Sequence, residues 1–193
     1  MTDPFVAIGG DAAGLSAASK LKREDPDREA IVFEKGRWVS YAHCGTPYYV
    51  KGEVEHLTDL LSLSPGEIKE RGIDLRRSHE VVGVDTGEKT VTVDGPDGEF
   101  AQPYGDLLVA TGARAVTAPF EGLALDGAFT LHGLDDAAAI RAFLTAPEEF
   151  DPGAVSEHAD RERVVRFGEL APPGSAAIVG GGYVGVEMAE ALA

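Results

Sequence analysis

Phe5-Val6-Ala7-Ile8-Gly9-Gly10-Asp11-Ala12-Ala13-Gly14 opens the chain's first structural sentence, and Ala30-Ile31-Val32-Phe33-Glu34 closes it. Phe5 to Ile8 is a short apolar run broken by two glycines, and Gly14-Leu15-Ser16-Ala17-Ala18 with Leu21 places small and apolar residues at helical spacing. Strand, glycine turn and helix follow in that order. The charged, proline-containing Lys22 to Asp27 ends the helix, and Ala30 to Phe33 reads as a second buried strand. A βαβ unit is thus complete by residue 34; such units are right-handed, pair their strands in parallel and bind ligands at the carboxyl edge.

Outward from that unit, residues 36–72 read as loop and helix, with short helical stretches at Leu57 to Leu63 and Pro65 to Arg71. Val81 to Asp85, Thr90 to Val93 and a weaker Glu99 to Gln102 are joined by turn residues and predict a three-stranded β-meander. Asp106 to Ala110 predicts another buried strand, running into Thr111-Gly112. Residues 146–175 are acidic and proline-containing and read as a surface loop or insertion. Ala176 to Val179 then predicts a fresh strand, followed by Gly180-Gly181-Gly182-Tyr183-Val184-Gly185 and a helix start. The expected class is therefore α/β. A Rossmann-like unit with a meander occupies residues 1–145, and the start of a second Rossmann-like unit occupies residues 176–193.

The 193 residues hold 17 Lys and Arg against 33 Asp and Glu, a net charge of -16. That balance repels phosphate backbones and anionic lipid surfaces, so it argues against nucleic-acid and membrane partners. Six of the basic residues are Lys and eleven are Arg, and an acidic, Lys-poor surface of this kind is expected of a halophilic protein. No apolar run approaches the roughly 18 residues of a membrane span, and the N-terminus lacks a signal-peptide pattern, so the expected location is the cytoplasm. His43, His56, His79, His132 and His158 show no short ligand spacing and Cys44 stands alone, so no metal site is predicted.

Two stretches match the dinucleotide fingerprint, in which one glycine makes the turn, one admits the pyrophosphate and one lets helix meet strand. Gly180, Gly182 and Gly185 fill all three places, without a later acidic ribose ligand. Gly9 and Gly14 fill two, Asp11 stands at the middle place, and Glu34 ends the second strand where a ribose hydroxyl is held. A carboxylate at Asp11 must point away from any pyrophosphate. Cys44, by itself, reads as an inert small hydrophobe, yet it lies in a Gly- and Pro-containing loop with no apolar period, downstream of Glu34.

Two nucleotide-binding starts with one cysteine beyond the first resemble the pyridine nucleotide-disulfide oxidoreductases. Ser40-Tyr41-Ala42-His43-Cys44-Gly45-Thr46-Pro47-Tyr48 resembles the single-cysteine segment of coenzyme A disulfide reductases and the related NADH oxidases and persulfide reductases. Ser40, Cys44, Pro47 and Tyr48 match, whereas Tyr41, His43, Thr46 and Lys51 depart from the usual residues. Tyr104, Asp106 and Ala110-Thr111-Gly112 resemble the strand and ATG segment beside the flavin, and Leu131 to Ala142 resembles the helix leading to the NAD domain. The resemblance spans nearly the whole chain except residues 147–174, and family members are much longer, so the chain is expected to be an N-terminal part.

The resemblance implies FAD at Gly9, Gly10, Ala13, Gly14, Glu34, Lys35, Thr111 and Gly112. It implies NAD(P)H at Gly180, Gly182, Gly185 and Glu187, and a redox site at Cys44 with Ser40, His43 and Tyr48. The implied reaction passes hydride from NAD(P)H through the flavin to a small disulfide or persulfide of a coenzyme A-like thiol, in a homodimeric parent. Two alternatives stand beside it: an NADH oxidase or peroxidase working through a cysteine sulfenic acid, and a non-catalytic FAD-binding module.

Overall fold

The computed structural model describes residues 3–116, 121–122 and 124–193. They form two compact units, one made of residues up to 41 together with 61–113, the other of residues 42–60 together with those after 113.

In the first unit, β1 (Phe5–Ile8) and β2 (Ala30–Glu34) flank α1 (Ala12–Glu24) as the βαβ pattern requires. The two strands run parallel with Phe5 opposite Ala30 and Ile8 opposite Phe33. β7 (Asp106–Val109) pairs in parallel on the other side of β1, and β3 (Asp74–Arg77) on the other side of β2, giving the order β3-β2-β1-β7. The strand period of two then sorts the side chains. Ala7 and Val32 face one way and pack with Leu15, Ala18, Val39, Ile68 and Ile73. Val6, Ile8, Ile31 and Phe33 face the other way, onto Val91, Val93 and Tyr104. Both faces are covered, which is why β1 and β2 read as continuous apolar runs rather than alternating ones.

The second covering layer is the expected meander, β4 (Glu80–Asp85), β5 (Thr90–Gly95) and β6 (Gly98–Pro103), antiparallel with Val93 opposite Phe100. β3 is a strand the sequence did not announce. Asp-Leu-Arg-Arg carries one apolar residue, and it is strand because it lies at the sheet edge, where a single neighbour supplies the ladder and charges are tolerated. α3 (Pro65–Glu70) starts on a capping box, Ser64 Oγ accepting from Glu67 N–H while Glu67 Oε2 accepts from Ser64 N–H.

The second unit is helical. A 3-10 turn (His43–Gly45) leads into α2 (Thr46–Lys51), and α4 (Leu134–Leu144), α5 (Arg161–Gly168) and α6 (Tyr183–Ala191) follow. Val50, Ala137, Ile140 and Met188 form its buried cluster. Residues 146–174, expected as loop, contain α5, whose Val164 and Phe167 are buried. The Phe167 ring lies 4.7 Å from that of Phe129. Proline and acid density concealed a helix of only two turns whose apolar positions are set by its neighbours. The strand expected at 176–179 is not formed: Ile178 and Val179 are exposed, and no described residue pairs with them. An apolar run becomes a strand only when another chain segment completes its ladder. Among the described residues no helix is long and apolar enough to cross a membrane.

Candidate functional site

At the carboxyl edge of β1 the chain turns through Gly9, whose φ of +115° belongs to glycine. A Cβ on Gly9 would stand 2.2 Å from the Ala110 carbonyl oxygen and 3.5 Å from the Thr111 nitrogen, so the chain leaving β7 lies against this turn at Ala110 and Thr111, while Gly112 is exposed. A Cβ on Gly14 would stand 1.9 Å from the Gly9 carbonyl oxygen, which fixes how closely α1 approaches the strand. The first helical bond of α1 runs from Leu15 N–H to Asp11 O at 3.0 Å, so the amides of Ala12, Ala13 and Gly14 precede the ladder. Ala12 and Ala13 are exposed. A helix start of this kind receives anionic oxygen.

Asp11 does not oppose that role. Its Oδ1 accepts from Tyr41 N–H at 3.1 Å, turning the carboxylate toward the following loop. Glu34, predicted to hold a ribose, receives Gly10 N–H on Oε2 at 2.8 Å and Gly36 N–H on Oε1 at 2.7 Å. The carboxylate is thereby fixed at the end of β2, beside the glycine turn, while Lys35 is exposed.

Ser40 occupies left-handed backbone, φ +51°, uncommon for a residue with a Cβ. It is held there from both sides, its N–H donating to Gly10 O at 3.1 Å and its carbonyl accepting from Ser62 N–H at 2.6 Å. The loop is therefore stitched to the glycine turn at two consecutive residues, Ser40 and Tyr41. Cys44 comes three residues later in the chain.

Cys44, His43 and Tyr48 lie in the second unit and are exposed. The turn that carries them is anchored by Ala42 N–H to Leu60 O at 2.8 Å and by Thr46 Oγ1 to His43 O at 2.8 Å. A Cβ on Gly45 would stand 2.3 Å from Leu60 Cδ2, so the residue after the cysteine has to be small. Tyr49, by contrast, packs: Arg141 stacks 4.5 Å from its ring centroid and donates to Val54 O and Glu55 O. Burial pushes the Tyr49 phenol up, with Arg141 opposing.

The second glycine turn repeats the first. Gly180 has φ +121°, and a Cβ on Gly185 would stand 2.1 Å from the Gly180 carbonyl oxygen. Cβ atoms built on Gly181 and Gly182 meet nothing within 4 Å, so a ligand can approach the backbone there. Glu187 sits half-buried in the first turns of α6.

One feature of the first unit escaped the sequence reading. Ser16, Ser19 and Arg23 share one face of α1 and, with Ser40, Tyr41 and Arg71, line a cleft of about 330 Å³. Arg71 donates to Ser19 Oγ at 3.3 Å. The i, i+3, i+7 spacing of Ser16, Ser19 and Arg23 was the available signal, masked because it reads equally as a solvated helix face.

The sequence profile described as pyridine nucleotide-disulphide oxidoreductase matches residues 4–193. An NAD(P)H coenzyme A polysulfide/persulfide reductase of Pyrococcus horikoshii is 41% identical over 195 residues, covering 100% of this chain and 38% of that protein. A coenzyme A disulfide reductase of Staphylococcus haemolyticus is 30% identical over 191 residues, covering 97% of this chain and 37% of that protein. The reduced CoADR-RHD of Bacillus anthracis superposes with a TM-score of 0.80 at 29% identity, covering 100% of this chain and 31% of that chain. The chain thus spans less than two fifths of the length of these relatives.

Proposed function

This chain belongs to the pyridine nucleotide-disulphide oxidoreductase family, and from that premise we propose that it is the N-terminal part of an FAD-dependent NAD(P)H:disulfide oxidoreductase with Cys44 as its redox thiol. The substrate is a small disulfide or persulfide of a coenzyme A-like thiol. The observation that carries this reading is the glycine turn at the end of β1, where Gly9 and Gly14 leave the amides of Ala12 to Gly14 outside the helical ladder and Glu34 is fixed beside the turn at the end of β2. Bound FAD supplies the two-electron relay between nicotinamide and sulfur.

The chain's own residues supply the rest. Gly9 and Gly14 bring the amides of Ala12 to Gly14 to the pyrophosphate, Asp11 keeps its charge on the Tyr41 amide, and Glu34 stands at the end of β2 for the ribose. Gly180, Gly182 and Gly185 do the same for the nicotinamide cofactor. Arg23 and Arg71, with Ser16 and Ser19, offer hydrogen-bond donors and positive charge to the anionic groups of a nucleotide-linked thiol. Cys44, as thiolate, attacks the substrate sulfur, forming a mixed disulfide and releasing the other half.

Cys44→Ser in the full-length parent tests the reading. Flavin binding and its reduction by NAD(P)H should persist, since neither needs sulfur, while disulfide turnover should fall by at least about a hundredfold. Turnover at the parent's rate would remove Cys44 as the acceptor. The acid excess further fits a protein that works in concentrated salt. Its melting temperature should rise from low to molar KCl as self-repulsion is screened, and a flat or falling curve would discard that part.

A further inference from the structure

In the second unit a cleft of about 460 Å³ opens between α4, the chain that follows α2 and the segment from 149 to 164. Ala138, Arg141, Ala142 and Thr145 border it from α4, at the spacing that puts them on one face of a helix. Ala138 and Ala142 are buried yet bring little bulk, and with Leu57 and Val164 they make an apolar floor. Room is left over that floor for a hydrocarbon chain.

The charges that border the cleft leave it negative. Glu55 comes from the chain after α2, Glu149 and Asp151 come from the chain after α4, and all three are exposed. Among the described residues no ion pair or side-chain hydrogen bond is made to Glu55 or Glu149, and Asp151 accepts Gly153 N–H on Oδ1 at 2.8 Å. The cation bordering the cleft is Arg141, and it is already engaged. Its Nη1 donates to Val54 O at 2.9 Å and to Glu55 O at 3.1 Å, and its guanidinium lies 4.5 Å from the Tyr49 ring centroid. The three carboxylates border one cleft, yet among the described residues they form no group able to hold a metal ion.

We propose that this cleft binds a linear aliphatic polyamine, whose ammonium groups meet Glu55 and the Glu149 and Asp151 carboxylates while the methylenes between them lie on the floor of Ala138 and Ala142. The class follows from what the cleft rejects. Three carboxylates repel an anion. A small inorganic cation gains nothing from the apolar floor, and an uncharged hydrocarbon leaves the carboxylates unmatched. Positive charges spaced along a hydrocarbon chain satisfy both the floor and the separated carboxylates. The site stands independently of the role of Cys44.

The test titrates spermidine into the 193-residue chain by calorimetry. His56 also borders the cleft, so the titration is run at pH 8, above the range in which free imidazole takes up a proton. One molecule should bind per chain. Ala142→Leu fills the floor and should weaken binding at least about tenfold. Ala154→Leu narrows the exposed lip of the cleft and should weaken it about threefold, so the test stands even if the Ala142 variant does not fold. Glu55→Gln and Glu149→Gln should each weaken binding about threefold, whereas Asp94→Asn and Asp97→Asn, at exposed acids of the meander, should leave it within about twofold. Butane-1,4-diol, which has the hydrocarbon without the charge, and Mg²⁺, which has the charge without the hydrocarbon, should each bind at least about tenfold more weakly than spermidine. Wild-type affinity for spermidine in both alanine variants would overturn the proposal, and so would Mg²⁺ binding as tightly as spermidine. An equal loss in the meander variants would also overturn it, because polyamine would then be condensing on the acidic surface at large.

Discussion

At Gly9 to Gly14 and at Gly180 to Gly185 the chain makes the same local turn in two different settings. Both first glycines take positive φ, +115° and +121°, and both last glycines meet the first one's carbonyl oxygen so closely that a Cβ would stand about 2 Å from it. Both helices start from an extended cap, Asp11 in one and Gly182 in the other. Around the first turn, β1 is paired on both sides and Val6 and Ala7 are wholly buried. Around the second, the preceding apolar run has no partner among the described residues, and Val179 is 76% exposed. The glycine turn is therefore a local object, whereas the strand before it exists only by pairing.

The sharpest way to break this comparison is to add one methyl group at each turn. Gly14→Ala forces the Gly9 carbonyl away from a helix locked against the sheet, at about 3 kcal/mol, or roughly 10 °C in melting temperature. Gly185→Ala makes the same clash where the preceding run has no strand partner among the described residues, so the turn can open and the thermal transition followed by circular dichroism should move by no more than about 2 °C. Equal losses would mean that the second turn is as embedded as the first.

A smaller effect separates the two caps. Asp11→Gly gives the first turn the glycine pattern of the second and removes the acceptor of the Tyr41 amide. The expected cost is about 1.5 kcal/mol, read by urea unfolding. An unchanged midpoint would show that Asp11 contributes nothing to holding the loop that carries Ser40.

The smallest effect concerns α3, whose start is again local. Ser64→Ala removes the cap of the box and should cost about 0.5–1 kcal/mol. The Ser64 amide and hydroxyl hold the Glu67 carboxyl below the ordinary glutamate range. A depressed folded value adds stability that is present above the unfolded value and is lost as pH falls through the folded one. The gap between Ser64→Ala and wild type should accordingly narrow as the pH is taken from neutral into the acid range, and a gap independent of pH would detach the carboxylate from the box.

Much of the first unit was legible in the sequence because its signals are short-range. Glycines that need positive φ, a capping box and apolar runs bounded by turns are properties of a few consecutive residues, and β1, α1, β2, the meander, β7 and both glycine turns came from them. Spacing likewise put Gly9 and Gly14 at the turn and Glu34 at the end of β2, where the structure has them, whereas the role of Cys44 rests on the resemblance of its segment.

What the sequence left undetermined depends on which segments meet. Asp74 to Arg77 is strand because β2 offers it an edge, and Ala176 to Val179 is not because the described residues offer it none. Asp11, which the fingerprint would mark as a repulsive carboxylate, is reconciled by a backbone amide thirty residues away. The cleft that joins Glu55 and Glu149 to one face of α4, and the cleft that joins Arg71 to the Ser16 face of α1, are made by segments distant in sequence. Periodicity and spacing report on neighbours along the chain. Pairing, burial and the direction of a side chain are settled only when distant segments fold together.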